Sequence, residues 1–234
     1  MVAQQPSAGR PRLAARQRHG TSARDEILDA AAELFSERGY AATSTRAVAL
    51  AVGIRQASLY CHFATKEQIL LDLLGMTVLP SLDAAAALAE RAGPVEAKLW
   101  ALAAFDVRSL CSTRWNLGAL QLLPELRSPR FSLFHEQRRR LREAYTSLVA
   151  DGTRSGAFPV PDEQVATDLV LGLVRSVITI RQDRGALDPE VHSPTIADGC
   201  LRLLAYPPRR ASSAARHGDR LLSLLPFQPP DTGY

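Results

Sequence analysis

Arg55, Gln56, Ser58 and His62 crowd hydrogen-bonding side chains into eight residues, while Leu59 and Phe63, four apart, supply an apolar side. On a short helix, that split leaves one face for a core and one for a polar partner. The chemistry it suits is non-covalent. An amide such as Gln56 can pair bidentately with adenine, and a guanidinium such as Arg55 with guanine, in the DNA major groove. The hydroxyls of Ser58 and Tyr60 can donate to phosphates. Lys66 lies where a helix N-terminus with free amides already favours a phosphate, and Thr45 and Arg46 stand at another helix start.

Catalytic chemistry has no comparable pattern. HExxH, GxSxG, phosphate-loop and dinucleotide motifs are missing, and Gly152–Gly156 (GTRSG) has Arg where a nucleophile elbow needs Ser. Cys61, Cys111 and Cys200 are far apart and form no metal-ligand spacing. No enzyme, no metal and no cofactor is expected.

The elements that must carry these residues read as helices. Ser22 with Asp25 forms a capping-box pattern for a helix to about Arg38, closed by Gly39, with Ile27, Leu28, Ala31, Leu34 and Phe35 on one face. A short helix over about 45–52 follows. Gly53 then supplies a residue that tolerates positive φ, Ile54 seals the turn, and a second short helix covers about 55–62. Thr65 with Gln68 caps a longer helix from Lys66, which Pro80 should kink or break near Thr77–Pro80. Further helices are expected over about 94–112, 115–123, 130–152, 162–183 and from Pro189 or Pro194 to Tyr206. No run has the alternation of a strand. Two short helices joined through Gly53 and braced by a preceding one make a helix-turn-helix over about residues 44–63. A plain helical hairpin inside a larger core has the same outline.

The chain has 234 residues, 46% of them apolar, and a net charge of +4. Positive charge gathers near the start, where Arg10, Arg12, Arg16 and Arg18 occur without an acid. Residues 1–20 therefore read as a flexible basic arm, either bound to a polyanion or simply solvated. No apolar run follows those arginines, so no signal peptide is expected. The most apolar stretch, Val165–Ile180, holds Asp168 and Arg175 and is too short for a membrane span. A cytoplasmic protein without membrane partners is expected.

The string AVALAVGIRQASLYCHFATKEQIL resembles the signature of the tetracycline-repressor (TetR) family, with Val48, Ala49, Val52, Gly53, Ile54, Leu59, Tyr60, His62, Phe63, Lys66 and Glu67 at the family's places. Residues 27–44 resemble the family's first helix and link. The chain departs from the family where many members carry Ser-x-Gly: here stand Arg55, Gln56 and Ala57. The resemblance implies an all-α fold in which residues 21–81 form the DNA-binding domain. Residues 82–206 then form a helical bundle for effector binding and dimerisation, and 207–234 a Pro-rich tail. It also implies that Gln56, Ser58, Tyr60 and Lys66 touch DNA. The partners would be a palindromic double-stranded operator, a small-molecule effector and a second copy. The activity would be repression relieved by an inducer. The same fold without an effector, as an architectural or protein-interaction module, is the alternative.

For the second region, the residues leave choices open. Val165–Ile180 is apolar on nearly every face and must be covered all round, by a core on one side and a second subunit on the other, or as the central helix of a monomer. Trp100, Phe105, Trp115 and Phe134 can line a ligand cavity or simply fill a core. Arg108, Arg114 and Arg175 lie among apolar neighbours. Arg108 and Arg175 join the candidate lining as partners for an anion, although Asp168, seven residues before Arg175 on the same helix face, offers a salt bridge instead.

Overall fold

The computed structural model describes residues 22–227. The basic arm expected over 1–20 lies outside them. The described residues form ten α-helices and three 3-10 segments, with no strand among them. The chain divides into two compact units between Ile69 and Leu70, rather than after residue 81 as expected. The reason lies in α4 (Lys66–Gly75), whose buried Leu70, Leu73 and Leu74 belong with the second unit.

In the first unit, α1 (Ala23–Arg38) starts at the expected capping box. The Ser22 amide donates to Asp25 Oδ2 at 2.9 Å and the Asp25 amide to Ser22 Oγ at 3.2 Å. Ile27, Ala30, Ala31, Leu34 and Phe35 are buried, and the Phe35 ring meets Tyr40 edge-on at 5.1 Å. Helix α2 (Thr45–Val52) is capped by Ser44, which accepts the Ala47 amide. Gly53 ends it in the left-handed region, at φ 75° and ψ 29°, where its N–H still reaches the Ala49 and Leu50 carbonyls. A side chain there would be strained, which is why Gly stands at this turn. Helix α3 (Gln56–Tyr60) is shorter than expected and closes in a turn at Cys61–His62. Buried Val48, Ala49, Val52, Leu59 and Phe63 join it to the core.

In the second unit, α4 ends at Gly75 and α5 (Leu79–Ala89) restarts with Pro80 in its first turn. The expected break is therefore a complete one, at the place where a proline costs no helical hydrogen bond. The stretch Lys66–Ala89 has the length and apolarity of a membrane span, unlike Val165–Ile180, but half of its most apolar window is buried in the protein.

Helix α6 (Val95–Cys111) is the centre of the second unit. Thirteen of its residues are buried, so it must be surrounded by other helices. It packs most extensively against α9 (Pro189–Leu203) and α10 (Pro208–Ser223), and also against α5, α7 (Ser132–Arg154) and α8 (Glu163–Arg184). Arg181 on α8 is buried at the end of α6. It donates to the carbonyls of Leu110 and Thr113, the latter at 2.6 Å, satisfying groups that a helix end leaves open.

Residues 207–234 are not simply a tail. Pro207 and Pro208 do end α9's continuation, but Pro208 then occupies the first turn of α10, which proline tolerates. Ala214, Gly218 and Leu222 of α10 are buried. A Cβ on Gly218 would stand 2.5 Å from Trp100 Cε3 and 3.1 Å from the Ala97 carbonyl. Gly218→Ala is therefore expected to destabilise the second unit by about 1–3 kcal/mol through overpacking, measured by denaturant unfolding. An unchanged midpoint would mean that α10 does not pack on α6.

Candidate nucleic-acid interface

The exposed side of the first unit gathers most of the expected residues. Gln56 Nε2 donates to Thr45 Oγ1 at 3.0 Å and to the Tyr60 hydroxyl at 3.4 Å. Thr45 Oγ1 and the Tyr60 hydroxyl lie 3.2 Å apart. This triangle ties the first turn of α2 to both ends of α3. Three polar side chains are thereby held in one arrangement before any partner arrives, which lowers the ordering cost of binding.

Around the triangle, Arg46, Arg55, Ala57 and His62 are exposed and Ser58 is half-buried. Arg55 stands just before α3 with an extended backbone. Tyr60 is 48% exposed although it belongs to a helix whose Leu59 is fully buried. Cys61 also faces outward and donates its thiol to the Ala57 carbonyl at 3.5 Å.

Lys66 is placed differently from its expected role as a free phosphate contact. Its ammonium donates to the carbonyls of Tyr40 and Thr43, each at 2.9 Å, and lies 4.2 Å from the centre of the Tyr40 ring. Two of its three donors are used inside the protein. The α4 start itself is capped as expected, by Thr65 Oγ1 accepting the Gln68 amide at 3.1 Å. Sequence reasoning also missed Arg24 on α1. It donates to the His62 carbonyl at 3.2 Å and covers the Phe63 ring at 4.3 Å, bracing the end of α3. An arginine three residues before a buried helical face carries no signal of that reach.

The candidate lining residues of the second unit separate. Trp100 is buried, donates to Asp198 Oδ1 at 2.7 Å and packs on Gly218. Phe105 is buried edge-on to Phe227 at 5.6 Å. Arg108 pairs with Glu190. Trp115 lies under the Arg114 guanidinium at 4.7 Å, and Phe134 is buried beneath Arg138 at 5.8 Å. Of the six, Arg175 lines two clefts of this unit, of about 210 Å³ and 30 Å³. Its expected partner makes its hydrogen bonds elsewhere: Asp168 accepts from Arg142 Nη2 at 2.8 Å and from Nε at 3.1 Å, while its charge still attracts Arg175.

Behind the smaller cleft lies Asp106, buried on α6. It accepts hydrogen bonds from Ser81 and, at 2.9 Å, from the Tyr145 hydroxyl. Burial pushes its carboxyl above the usual carboxylate range, against those two hydrogen bonds and the attraction of Arg175. The same burial, with the nearby Asp106 charge, raises the Tyr145 hydroxyl well above its ordinary value, so it stays a donor.

A helix-turn-helix with an exposed polar face, followed by a separate all-helical unit, defines a class of DNA-binding regulator. Residues 27–73 match the model for bacterial regulatory proteins of the tetR family, and residues 92–204 match a tetracyclin repressor-like C-terminal domain. The crystal structure of Mycobacterium smegmatis AmtR is 45% identical, covers 92% of this chain and 100% of its own, and superposes with a TM-score of 0.78. The chain belongs to the tetR family of bacterial regulatory proteins.

Other similarities are narrower. The HTH-type transcriptional repressor KstR2 of Mycobacterium tuberculosis (strain ATCC 25618 / H37Rv) is 49% identical over 53 residues, 23% of this chain and 26% of that protein. The chain thus spans about a quarter of the length of the curated relatives it matches. The structure of AibR, in complex with isovaleryl coenzyme A and operator DNA, is 25% identical, covers 79% of this chain and 99% of its own, with a TM-score of 0.61.

The raised Asp106 carboxyl has a pH consequence. Between the unfolded carboxyl value near 4 and the higher folded one, the folded state binds more protons than the unfolded state. Asp106 therefore contributes a loss of stability as pH rises through that window. Urea unfolding of Asp106→Asn is expected to gain on wild type as pH goes from 4 to 7; a constant difference would contradict the assignment.

Proposed function

We propose that this protein is a transcriptional repressor which binds a palindromic operator as a homodimer in the cytoplasm and leaves it when a small molecule binds the second unit. The observation that carries the DNA-binding part is the Thr45–Gln56–Tyr60 triangle on the exposed side of the two short helices. With both Nε2 hydrogens of Gln56 engaged in the triangle, its amide oxygen and the Arg55 guanidinium are the groups offered to base edges, while Thr45, Arg46, Ser58, Tyr60 and His62 surround them with groups suited to phosphates. Lys66 acts by holding the unit together.

Pairing of two copies is supported by apolar side chains left uncovered on the second unit. Val165 and Leu169 of α8 and Val191 of α9 are each more than half exposed. A second copy covering that face gives two reading helices for two half-sites about one DNA turn apart. The effector part draws support from AibR, a family relative that binds both isovaleryl coenzyme A and operator DNA, and from the clefts of the second unit. An effector releases the operator only by its differential affinity for the two states.

Selection of random DNA by the purified full chain tests this reading directly. A two-fold symmetric site is expected, with affinity that falls steeply as salt rises. Gln56→Ala should relax the preference at one base pair by about 1–3 kcal/mol, whereas Tyr60→Ala should weaken binding to all sequences. An enriched site without symmetry, or an unaltered preference in Gln56→Ala, would contradict the corresponding part.

A further inference from the structure

Both clefts of the second unit share three wall residues: Gln121, Arg138 and Arg175. Arg138 comes from α7 and Arg175 from α8, and both are half-buried. Neither makes a hydrogen bond or an ion pair among the described residues. Arg138 only stands over the Phe134 ring, and each guanidinium is partly stripped of water. Each candidate acid is already engaged. Asp168 accepts from Arg142, and Asp106 accepts from Ser81 and Tyr145. At Arg175 the attraction of Asp106 and Asp168 outweighs the repulsion of a third cation, Arg142, whereas at Arg138 the neighbouring charge is the repelling Arg175.

Such a pair is costly as it stands. Guanidinium groups do not lose their proton at any physiological pH, so the two charges cannot neutralise themselves as a buried Lys or His would. Partly desolvated like charges repel; the fields of Asp106 and Asp168 offset part of this at Arg175, and an anion between the two guanidiniums would relieve the rest. The neighbouring groups suit a polar guest. Gln121, Ser176 and Thr179 line the larger cleft beside Gly172, which leaves the α8 backbone accessible. About 210 Å³ is room for a compact molecule rather than a long chain.

We propose that the cleft between α7 and α8 is a binding site for a compact dianion, a small dicarboxylate or a phosphate, held by Arg138 and Arg175. The site rests on the effector-responsive reading above and names the ligand class for it. Arg138 and Arg175 supply paired N–H donors in a planar fork, the geometry that carboxylate and phosphate oxygens match.

The test uses the full chain, with succinate and inorganic phosphate as probes and succinamide as the neutral control of matching shape. Titration calorimetry should give saturable binding of succinate or phosphate, weakened at least about tenfold in Arg138→Gln and in Arg175→Gln. Which probe binds decides between carboxylate and phosphate. Without any probe, both variants should unfold cooperatively, and Arg138→Gln at a temperature equal to or higher than wild type, because it removes the repulsion with Arg175. That readout also shows that they fold.

Four results would overturn the site. Neither probe binding is one. Equal binding to wild type and both variants, an adventitious ion only, is another. A lower unfolding temperature in Arg138→Gln would show that this arginine already has a partner. Dissociation of a dimer in either variant would assign them to a second copy. If instead a neutral compound releases operator DNA while succinate and phosphate fail, the ligand class falls and the effector reading stands. If succinate binds through the arginines but operator binding is unaffected, the site stands and the effector reading falls.

Discussion

The ammonium of Lys66 is the constraint on which the first unit depends. It joins the link between α1 and α2 to the start of α4 by donating to the Tyr40 and Thr43 carbonyls over the Tyr40 ring. The Tyr40 carbonyl also accepts the Thr43 amide at 3.2 Å, so Lys66 tightens a turn that is already closed and supplies a donor to the Thr43 carbonyl, where a buried acceptor without one costs about 1–3 kcal/mol. Thr43 is itself buried and donates its hydroxyl to the Leu34 and Gly39 carbonyls at the end of α1. Arg24 closes the other side by holding the end of α3. The angle between α1 and the two short helices is thus set by charge-assisted bonds to backbone, and the outward triangle inherits that angle.

The two units use cations in opposite ways. In the first, Arg24 and Lys66 are bonded inward, which leaves Arg46 and Arg55 exposed for an outside partner. In the second, Arg181 is consumed by the end of α6, Arg142 by Asp168 and Arg108 by Glu190. Arg138 and Arg175 remain without such partners. A cation left half-buried and unpaired stands out because its neighbours were all satisfied by available acids and carbonyls.

What could be read in the sequence follows from how local each signal is. The Ser22–Asp25 capping box, the Thr65–Gln68 cap, the left-handed Gly53 and the Pro80 break act within one turn of chain. Each emerged where the spacing placed it. The boundary of α3 did not, because five residues between two turns are settled by packing of Leu59 and Phe63 rather than propensity. Helix α10 was hidden behind Pro207 and Pro208, a pair that reads as a stop but also opens a helix. Trp100 and Phe105 in α6 and Phe134 in α7 are buried, and Trp100 packs on Gly218, a contact that helical spacing alone does not report. Spacing along α8 placed Asp168 near Arg175, yet α7 supplied a better partner for it in Arg142, and no sequence pattern reports a competitor on another helix.

The most direct test of this account is the salt dependence of operator binding by Lys66→Met, which keeps the side-chain length and removes the charge. If Lys66 acts by holding the turn, the variant loses stability and affinity together, while the slope of log affinity against log salt stays that of wild type. A phosphate contact would instead give a slope smaller by about 0.9 with the unfolding midpoint unchanged. That result would contradict the central role assigned to this one ammonium.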